Sequence, residues 1–334
     1  MSSLNLEREL GVVVIGRNEG ERLLACLRSI AREAPGVRVV YVDSNSTDGS
    51  AQAARRLKAD VVELDASKPF TAAWARNTGW RRLLELEPSL EFVHFLDGDC
   101  EVRDGWLSSV VGFLSEHEDV AVACGRRRER FPDASTFNRL CDVEWNTPVG
   151  EVRSCGGDAC MRLAVLQAVD GYRESLIAGE EPELCVRIRG RGWKVWRLDQ
   201  DMVLHDAAMT RWSQWWRRSK RAGHAFAEGA ALHGQAPEHH YVQERRRALI
   251  WGLFLPAAIV VAGMVDARAL LLAAIYPIQV IRLGLRPTPA ARQAGATWSR
   301  AFFLVAARFP EAAGVLLYAW RRARGRASTL IEYK

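Results

Sequence analysis

The chain lacks the cysteine spacing, the glycine-rich loops and the leader segment that mark several common protein classes. Its seven cysteines include no Cys-x-x-Cys pair, so neither a disulfide framework nor a zinc site is expected, and most thiols should be reduced and buried. Residues 7–9 are Glu-Arg-Glu and no basic start leads an apolar segment, so no secretory signal is expected. The first apolar strand leads into Gly-Arg-Asn-Glu-Gly instead of Gly-x-Gly-x-x-Gly, and no Walker A lysine loop follows. These absences argue against a nicotinamide dehydrogenase and a P-loop enzyme.

What the chain does have is an uneven distribution of charge. Of its 334 residues, 49% are hydrophobic and 26% are charged, which favours one large α/β domain with an appendage. Residues 1–205 contain 27 Lys and Arg against 33 Asp and Glu, whereas residues 206–334 contain 19 against 7. Because the basic part also contains the long apolar runs, we expect anionic membrane lipids as partners and no nucleic acid. The oligomeric state is left open.

Apolar strands and amphipathic helices alternate in the first half of the chain. Strands are predicted at 12–15, 37–42, 61–64, 92–96 and 120–124, with helices at 20–31, 50–58, within 70–86 and at 106–114. Nearly continuous apolar strands separated by helices predict a mainly parallel sheet with helices on both faces. Residues 126–160 are less regular. A helix at 181–191 and a strand at 194–198 then lead to His205.

Two carboxylates stand at the end of the fourth predicted strand, in the run Phe-Leu-Asp-Gly-Asp at 95–99. Ligands bind at the carboxyl edge of open α/β sheets, and the oxygens of Asp97 and Asp99 suit Mg²⁺ or Mn²⁺. Such an ion could hold a diphosphate. Asp-Gly-Asp also forms ordinary turns, so this motif needs support from its neighbours.

The basic part of the chain is predicted to be helical. Residues 210–232 mix tryptophan with arginine, which is typical of a membrane-interface helix and also of a helix packed against the catalytic domain. Apolar runs at 248–265 and 269–281 leave a transmembrane hairpin, a re-entrant pair and a buried hairpin open. Arginines before the first run and after the second would both lie on the cytoplasmic side. Residues 302–320 predict an amphipathic surface helix, followed by a basic tail at 321–326.

The first 206 or so residues contain six motifs in an order that is characteristic of one protein family. They are Val-Val-Ile-Gly-Arg-Asn-Glu at 13–19, Val-Asp-Ser-Asn-Ser-Thr-Asp-Gly-Ser at 42–50, Ala-Arg-Asn-Thr-Gly at 75–79, the Asp-x-Asp run, Gly-Gly-Asp at 156–158 and Gly-Glu-Glu-Pro-Glu-Leu at 179–184. Together they resemble family 2 glycosyltransferases of the GT-A fold. Gly16 and Arg17 replace the proline and tyrosine often found in that family, and Glu181 replaces its usual aspartate.

The resemblance implies a role for each matched position. Nucleotide binding is implied for Ile15, Arg17, Glu19, Asp43, Ser46, Lys68, Arg76, Asp97 and Gly98. Contact with the donor sugar or the acceptor is implied for Gly156, Gly157 and Asp158. The implied metal ligands are Asp99, Asp97 and His205, with Mn²⁺ or Mg²⁺ as cofactor. The catalytic base is implied at Glu181, with its neighbour Glu180 as the other candidate.

The resemblance also implies a fold and a reaction. The fold is α/β: a GT-A (Rossmann-like) domain at 1–206, a Trp/Arg-rich interfacial segment at 207–247 and a helical membrane-associated region at 248–334. The reaction is inverting transfer from a nucleotide-diphosphate sugar, with UDP favoured, to a lipid-linked or polysaccharide acceptor at the cytoplasmic membrane face. Residues 214–218 retain the Gln and Arg of Gln-x-x-Arg-Trp but lack its final Trp, which favours single additions. A sugar-phosphate nucleotidyltransferase and a non-catalytic nucleotide-binding membrane scaffold remain alternatives.

Overall fold

The computed structural model describes residues 6–325, which form two compact units. One unit contains Met1–Arg130 with Trp145–Ala207, and the other contains Phe131–Glu144 with Ala208–Lys334. Residues 1–5 and the end of the predicted basic tail, 326–334, lie outside the described range.

The first unit is built on one mixed sheet with the strand order β3-β2-β1-β4-β8-β6-β9-β5, with β7 paired to β9. Its strands are β1 Leu10–Gly16, β2 Arg38–Asp43, β3 Asp60–Glu63, β4 Phe92–Asp97, β5 Cys100–Val102, β6 Val120–Glu129, β7 Gly150–Glu151, β8 Ala159–Arg162 and β9 Lys194–His205. The described helices are α1 Leu6–Glu9, α2 Glu21–Glu33, α3 Ser50–Arg56, α4 Ala72–Leu86, α5 Trp106–Glu116, α6 Thr136–Glu144, α7 Leu163–Ala168, α8 Glu180–Arg189, α9 Trp212–His233, α10 Val242–Leu249, α11 Leu255–Val265, α12 Ile275–Gly284, α13 Pro289–Gln293, α14 Thr297–Ala306 and α15 Arg308–Ala323. The predicted GT-A-like α/β architecture is confirmed.

The parallel part of the sheet brings the predicted motifs to one edge. Strand β1 pairs in parallel with both β2 and β4. Gly16 is in register with Asp43, and Ile15 with Asp97. These strands are apolar and almost completely buried, as expected of a sheet covered on both faces. The loops that follow them therefore share one crevice.

The second half of the sheet departs from the predicted parallel pattern. Strand β8 lies between β4 and β6 and is antiparallel to both. It is only four residues long and lies in a stretch without clear periodicity, so no sequence pattern predicted it. Strand β9 extends to His205 and is longer than predicted. Its antiparallel pairing with β5 sets His205 opposite Cys100, next to Asp99.

A glycine in the 75–79 motif allows α4 to approach the sheet closely. A Cβ built on Gly79 would lie 2.3 Å from Val13 Cγ1, so any larger residue would push the helix away from β1. The preceding residues Arg76 and Asn77 are buried as a result of this close packing. The glycine thus fixes the position of Arg76 relative to the strand ends.

The second unit is helical, with an exposed apolar hairpin. Its π-helical stretch Ile250–Phe254 and α11 are followed by the 3₁₀ stretch Ala267–Ala274 and α12. Large apolar side chains on this hairpin are exposed, among them Val261, Met264 and Leu271. Three helices in the described range have the length and composition to cross a membrane: Val242–Val265, Ala267–Gly284 and Thr297–Ala323. The last includes the stretch that we predicted as an amphipathic surface helix.

The third of these helices differs from the other two in its packing. A Cβ on Gly314 of α15 would lie 2.0 Å from the carbonyl oxygen of Lys220 in α9, so the two helices are in close contact. Within the membrane-span window, 39% of its residues are buried, against 11% and 6% for the other two helices. In α9, Trp215 is buried and its ring centroid lies 4.9 Å from that of Phe303, whereas Trp212 is exposed. Helix α9 therefore packs against α14 and α15 of its own unit and also exposes an aromatic side chain.

Candidate active site

Two of the three predicted metal ligands, Asp99 and His205, lie together between β4 and β5 and at the end of β9. The Nε2 atom of His205 lies 3.4 Å from Oδ1 of Asp99, and both side chains are buried. Ligand atoms of Asp99, His205 and Cys100 lie within 4.8 Å of one another. Burial and the carboxylates of Asp158 and Asp99 raise the pKa of the Cys100 thiol, which leaves a carboxylate and an imidazole as the ligands at neutral pH. This donor pair fits Mn²⁺ or Mg²⁺, because both prefer oxygen and Mn²⁺ accepts imidazole.

The other carboxylate of the Asp-x-Asp run, Asp97, is held by two arginines. Nη2 of Arg76 donates to Oδ1 of Asp97 over 2.8 Å, and Nη2 of Arg127 lies 3.9 Å from Oδ2. Burial alone would raise the pKa of Asp97, but the two guanidinium groups hold it below its usual value. Asp97 is therefore ionised in this arrangement, with part of its surface still exposed.

Arg76 also connects Asp97 with the acidic helix start of α8. Its Nη1 donates to Oε1 of Glu180 over 2.7 Å, while the arginine itself is buried. A Cβ on Gly157 would lie 2.7 Å from Nη2 of Arg76, so a larger residue there would have to displace the guanidinium. The structure thus brings together residues that the sequence placed in three separate motifs.

Glu181, the predicted base, binds the loop that precedes β8. Its Oε1 and Oε2 accept the backbone N–H groups of Cys155 and Gly156, each over 2.8 Å, and the Cys185 thiol lies 2.9 Å from Oε1. The side chain is fully buried, and burial raises its pKa, although the hydrogen bonds from Cys185 and the two backbone amides oppose the rise. Glu180 is less enclosed, with 12% of its side chain exposed.

Asp158 lies beneath the site and supports the end of β4. Its Oδ1 accepts the backbone N–H of Asp97 over 2.9 Å, and its Oδ2 lies 2.6 Å from Nη2 of Arg127. Burial raises the pKa of Asp158 to about 6, against the opposing effect of Arg127. Arg127 belongs to a basic run visible in the sequence, but no spacing rule connects that run with Asp158, and we did not predict it as a site residue.

The predicted nucleotide loops after β1 and β2 are bonded to each other. Asp43 is buried, with Oδ1 accepting the Tyr41 hydroxyl over 2.9 Å and Oδ2 accepting the N–H of Ser46 over 2.7 Å. Asn18 donates its N–H to Oγ of Ser46 over 2.9 Å. Asn18 itself has a φ of 56°, a left-handed conformation that asparagine tolerates. Tyr41 was not predicted, because an aromatic residue inside a strand indicates only core packing.

The remaining predicted nucleotide residues lie around the same edge. Gly98 donates its N–H to the carbonyl of Ile15 over 2.8 Å, and Glu19 pairs with Arg22 at 2.7 Å. The cations of Arg17 and Lys68 lie over aromatic rings, those of Phe70 and Trp74, at 5.7 and 5.8 Å. Both rings belong to the segment at the start of α4, Ala72–Leu86, so the two cations lie on that side of the sheet edge.

Comparisons with known proteins agree with this geometry. Residues 11–150 match the family model described as glycosyl transferase family 2. A succinoglycan biosynthesis protein, ExoA, of Rhizobium meliloti (strain 1021) is 26% identical over 220 residues, which cover 61% of this chain and 66% of that protein. A pre-mycofactocin glycosyltransferase of Mycobacterium tuberculosis (strain CDC 1551 / Oshkosh) is 26% identical over 243 residues, or 68% of this chain and 48% of the relative. The match thus spans less than two thirds of either relative.

Solved structures show the same fold at low identity. The mannosyltransferase PcManGT from Pyrobaculum calidifontis, in complex with GDP-Man and Mn²⁺, superposes with a TM-score of 0.63 at 19% identity, covering 94% of this chain and 88% of that one. Residues 1–349 of Staphylococcus aureus TarS give a TM-score of 0.50 at 14% identity, covering 94% and 92% of the two chains. Residues 11–150 thus match the family 2 glycosyltransferase model, and the chain has the GT-A fold of these solved structures.

Proposed function

We propose that the chain is a metal-dependent inverting glycosyltransferase. It transfers a sugar from a nucleotide diphosphate, with UDP as the first nucleotide to test, to a lipid-linked or polysaccharide acceptor at the cytoplasmic membrane face. The proposal rests on one arrangement of side chains. Asp99 and His205 lie together, and Arg76 pairs with both Asp97 and Glu180. A cation site, an ionised carboxylate and a candidate base thus lie within a few side chains of one another.

The protein's own groups prepare this site for a charged donor. A bound Mn²⁺ or Mg²⁺ would be held by Asp99 and His205 and would stabilise negative charge on the departing diphosphate. Arg76 and Arg127 keep Asp97 ionised, and Asp43 presents a buried carboxylate at the loop where the nucleotide base and ribose are proposed to bind. Asp158 fixes the end of β4, and so the position of Asp97, through its backbone hydrogen bond.

We propose Glu180 as the group that takes the acceptor proton, although the family resemblance favours Glu181. Both oxygens of Glu181 already accept hydrogen bonds and its side chain is buried, so it is poorly placed to accept another proton from outside. Glu180 is partly exposed, and its carboxylate pairs with Arg76, which also pairs with Asp97. The carboxylate takes the proton of the acceptor hydroxyl as the hydroxyl oxygen attacks the anomeric carbon from the face opposite the diphosphate. The bond between this carbon and the diphosphate breaks in the same displacement, which inverts the anomeric configuration.

We also propose that the exposed hairpin of α11 and α12 enters the bilayer while α15 lies at its surface. Arg245, Arg246 and Arg247 precede the first apolar run, and Arg282 and Arg286 follow the second, so both ends of a hairpin would be cytoplasmic. Helix α15 packs closely on α9, which carries Arg217, Arg218, Lys220 and Arg221. Placing α15 across the hydrocarbon core would take these cations with it, at a cost of about 3 kcal/mol each.

The test is a product assay on the purified full chain with Mn²⁺. A panel of nucleotide sugars that includes UDP-sugars and GDP-mannose is offered with lipid-phosphate and glycan acceptors. Release of a nucleoside diphosphate that depends on Mn²⁺ and is lost in Asp99→Asn supports the proposal, and the exposed Asp199→Asn serves as the control. Release of pyrophosphate would show a nucleotidyltransferase instead, and nucleotide binding without turnover on any donor would support the scaffold.

A further inference from the structure

Arg197 on β9 is a buried cation whose counter-ion is missing from the described chain. Only 4% of the residue is exposed. Its Nε atom is buried without a hydrogen-bond partner, and its guanidinium forms no ion pair or hydrogen bond with any residue in 6–325. A guanidinium offers five N–H donors, and a buried N–H without an acceptor costs roughly 1 to 3 kcal/mol. A residue with this cost is expected to have a compensating anion.

The strand pairing shows which part of the sheet Arg197 occupies. It is in register with Cys124 on β6 and with Gly150 on β7, neither of which has a side-chain oxygen. Its neighbour Trp196 packs against Phe113 of α5 at 5.9 Å, so Arg197 projects to the opposite face of the sheet. The Cys155 thiol lies 3.9 Å from the carbonyl oxygen of Trp196, the residue before Arg197. Arg197 therefore lies near the loop that Glu181 binds.

The space beside Arg197 is open and separate from the metal site. A Cβ built on Gly150 would meet no atom within 4 Å. Arg127, which contacts Asp97 and Asp158, is in register with Val203, whereas Cys124 is in register with Arg197. Arg197 and Val203 are six positions apart on β9, or roughly 20 Å along the strand, with two register shifts between them. A group bound at Arg197 would thus lie away from Arg127, near the Cys155–Gly156 loop.

We propose that Arg197 is the anchor of an oxyanion site that binds a phosphate or carboxylate group of the sugar acceptor. A planar guanidinium binds such groups through two parallel hydrogen bonds, which a lysine cannot reproduce. The assignment to the acceptor rests on the proposed function. The anion site itself does not, because it can be measured without sugar transfer.

The experiment measures the melting temperature of the full chain in EDTA, with sodium phosphate, glycerol phosphate or glucuronate against sodium chloride at equal ionic strength. In the wild type, an oxyanion should raise the melting temperature, and comparison of the three ligands separates phosphate from carboxylate. Arg197→Met should melt higher than the wild type without ligand, since a buried N–H without an acceptor is removed, and should lose the oxyanion response. Arg191→Met, at an exposed arginine, should behave as the wild type. Arg197→Lys should bind roughly tenfold more weakly.

Two results would overturn the proposal. One is a wild type that does not respond to any of the three oxyanions. The other is Arg197→Met melting below the wild type with its response intact, which would make Arg197 a packing residue. If the response depends on Arg197 while no donor is turned over, the anion site stands and the glycosyltransferase proposal fails. If the acceptor KM is unchanged in Arg197→Lys while phosphate binding is weakened, the site binds a free anion and the assignment to the acceptor is wrong.

Discussion

Gly156 donates its backbone N–H to Oε2 of Glu181 over 2.8 Å. This contact distinguishes Glu181 from Glu180, the other glutamate at the start of the 179–184 motif. Glu181 faces the Cys155–Gly156 loop, while Glu180 faces Arg76. Adjacent residues at a helix start point in different directions, so one motif can supply both a loop holder and a proton acceptor. Which glutamate does which is a question of contacts that spacing does not answer.

We predict that Glu180→Gln lowers kcat by about 10² to 10⁴ and changes the donor KM little, because it removes only the proton acceptor. Glu181→Gln should instead raise the donor KM about tenfold, since one loop amide loses its acceptor at a cost of 1 to 3 kcal/mol. Steady-state measurement of kcat and of the donor KM distinguishes the roles of Glu180 and Glu181. Cys185→Ala is the control, because it removes only the thiol donor. Loss of kcat confined to Glu181→Gln would reverse the roles.

Arg76 should contribute to folding as well as to the site. Its side chain is 3% exposed and pairs with both Asp97 and Glu180. Arg76→Met would leave two carboxylates without their partner, so we expect the free energy of unfolding to fall by about 3 to 5 kcal/mol. Urea unfolding, followed by a signal from the first unit, measures the change in the free energy of unfolding. Arg32→Met is the matched control: its pair with Asp104 is exposed, and its loss should cost less than about 1 kcal/mol. Equal effects of the two substitutions would contradict the structural role of Arg76.

The sequence was sufficient to predict the edge of the sheet that carries Asp43, Asp97 and the first two loops. Continuous apolar strands followed by polar turns have few other interpretations. The sequence was insufficient where contacts depend on antiparallel pairing. Strand β8 is too short to recognise, yet it brings Asp158 under Asp97 and leaves Arg127 to bridge the two. The roles of Arg127, Tyr41 and Arg197 depend on which side chains face each other across strands, and the sequence pattern does not contain that information.

Buried His94 should make the protein less stable in acid. Its Nε2 accepts the Trp106 Nε1–H over 2.6 Å, and burial lowers its pKa to about 4 from the usual 6.5. The unfolded chain therefore binds a proton between pH 6.5 and 4 that the folded chain does not, so stability present above pH 6.5 is lost as the pH falls through this range. The loss amounts to about 3 kcal/mol.

Urea unfolding at pH 7 and pH 4.5 measures this dependence. His94→Gln should be less stable at pH 7, because the close packing around Trp106 is disturbed, and should lack the His94 part of the acid slope. His117→Gln, at an exposed histidine, should retain the slope of the wild type. An unchanged slope in His94→Gln would show that other groups, such as paired carboxylates, cause the acid loss.

The exposed hairpin gives the last prediction, which concerns membrane binding. Val261, Met264 and Leu271 are 63%, 83% and 77% exposed, and burial of each in lipid is expected to contribute about 1.5 to 3 kcal/mol. Replacing all three with asparagine should release the protein from vesicles that contain anionic lipid. The wild type should stay bound in about 0.5 M salt, because insertion of apolar side chains is not screened as surface charge is. Vesicle flotation of the detergent-purified chain measures both, and Leu57→Asn, at an exposed apolar position of the other unit, should float as the wild type does. If salt alone releases the wild type while the triple variant still floats at low salt, binding is electrostatic adsorption through the arginines and the hairpin does not enter the bilayer.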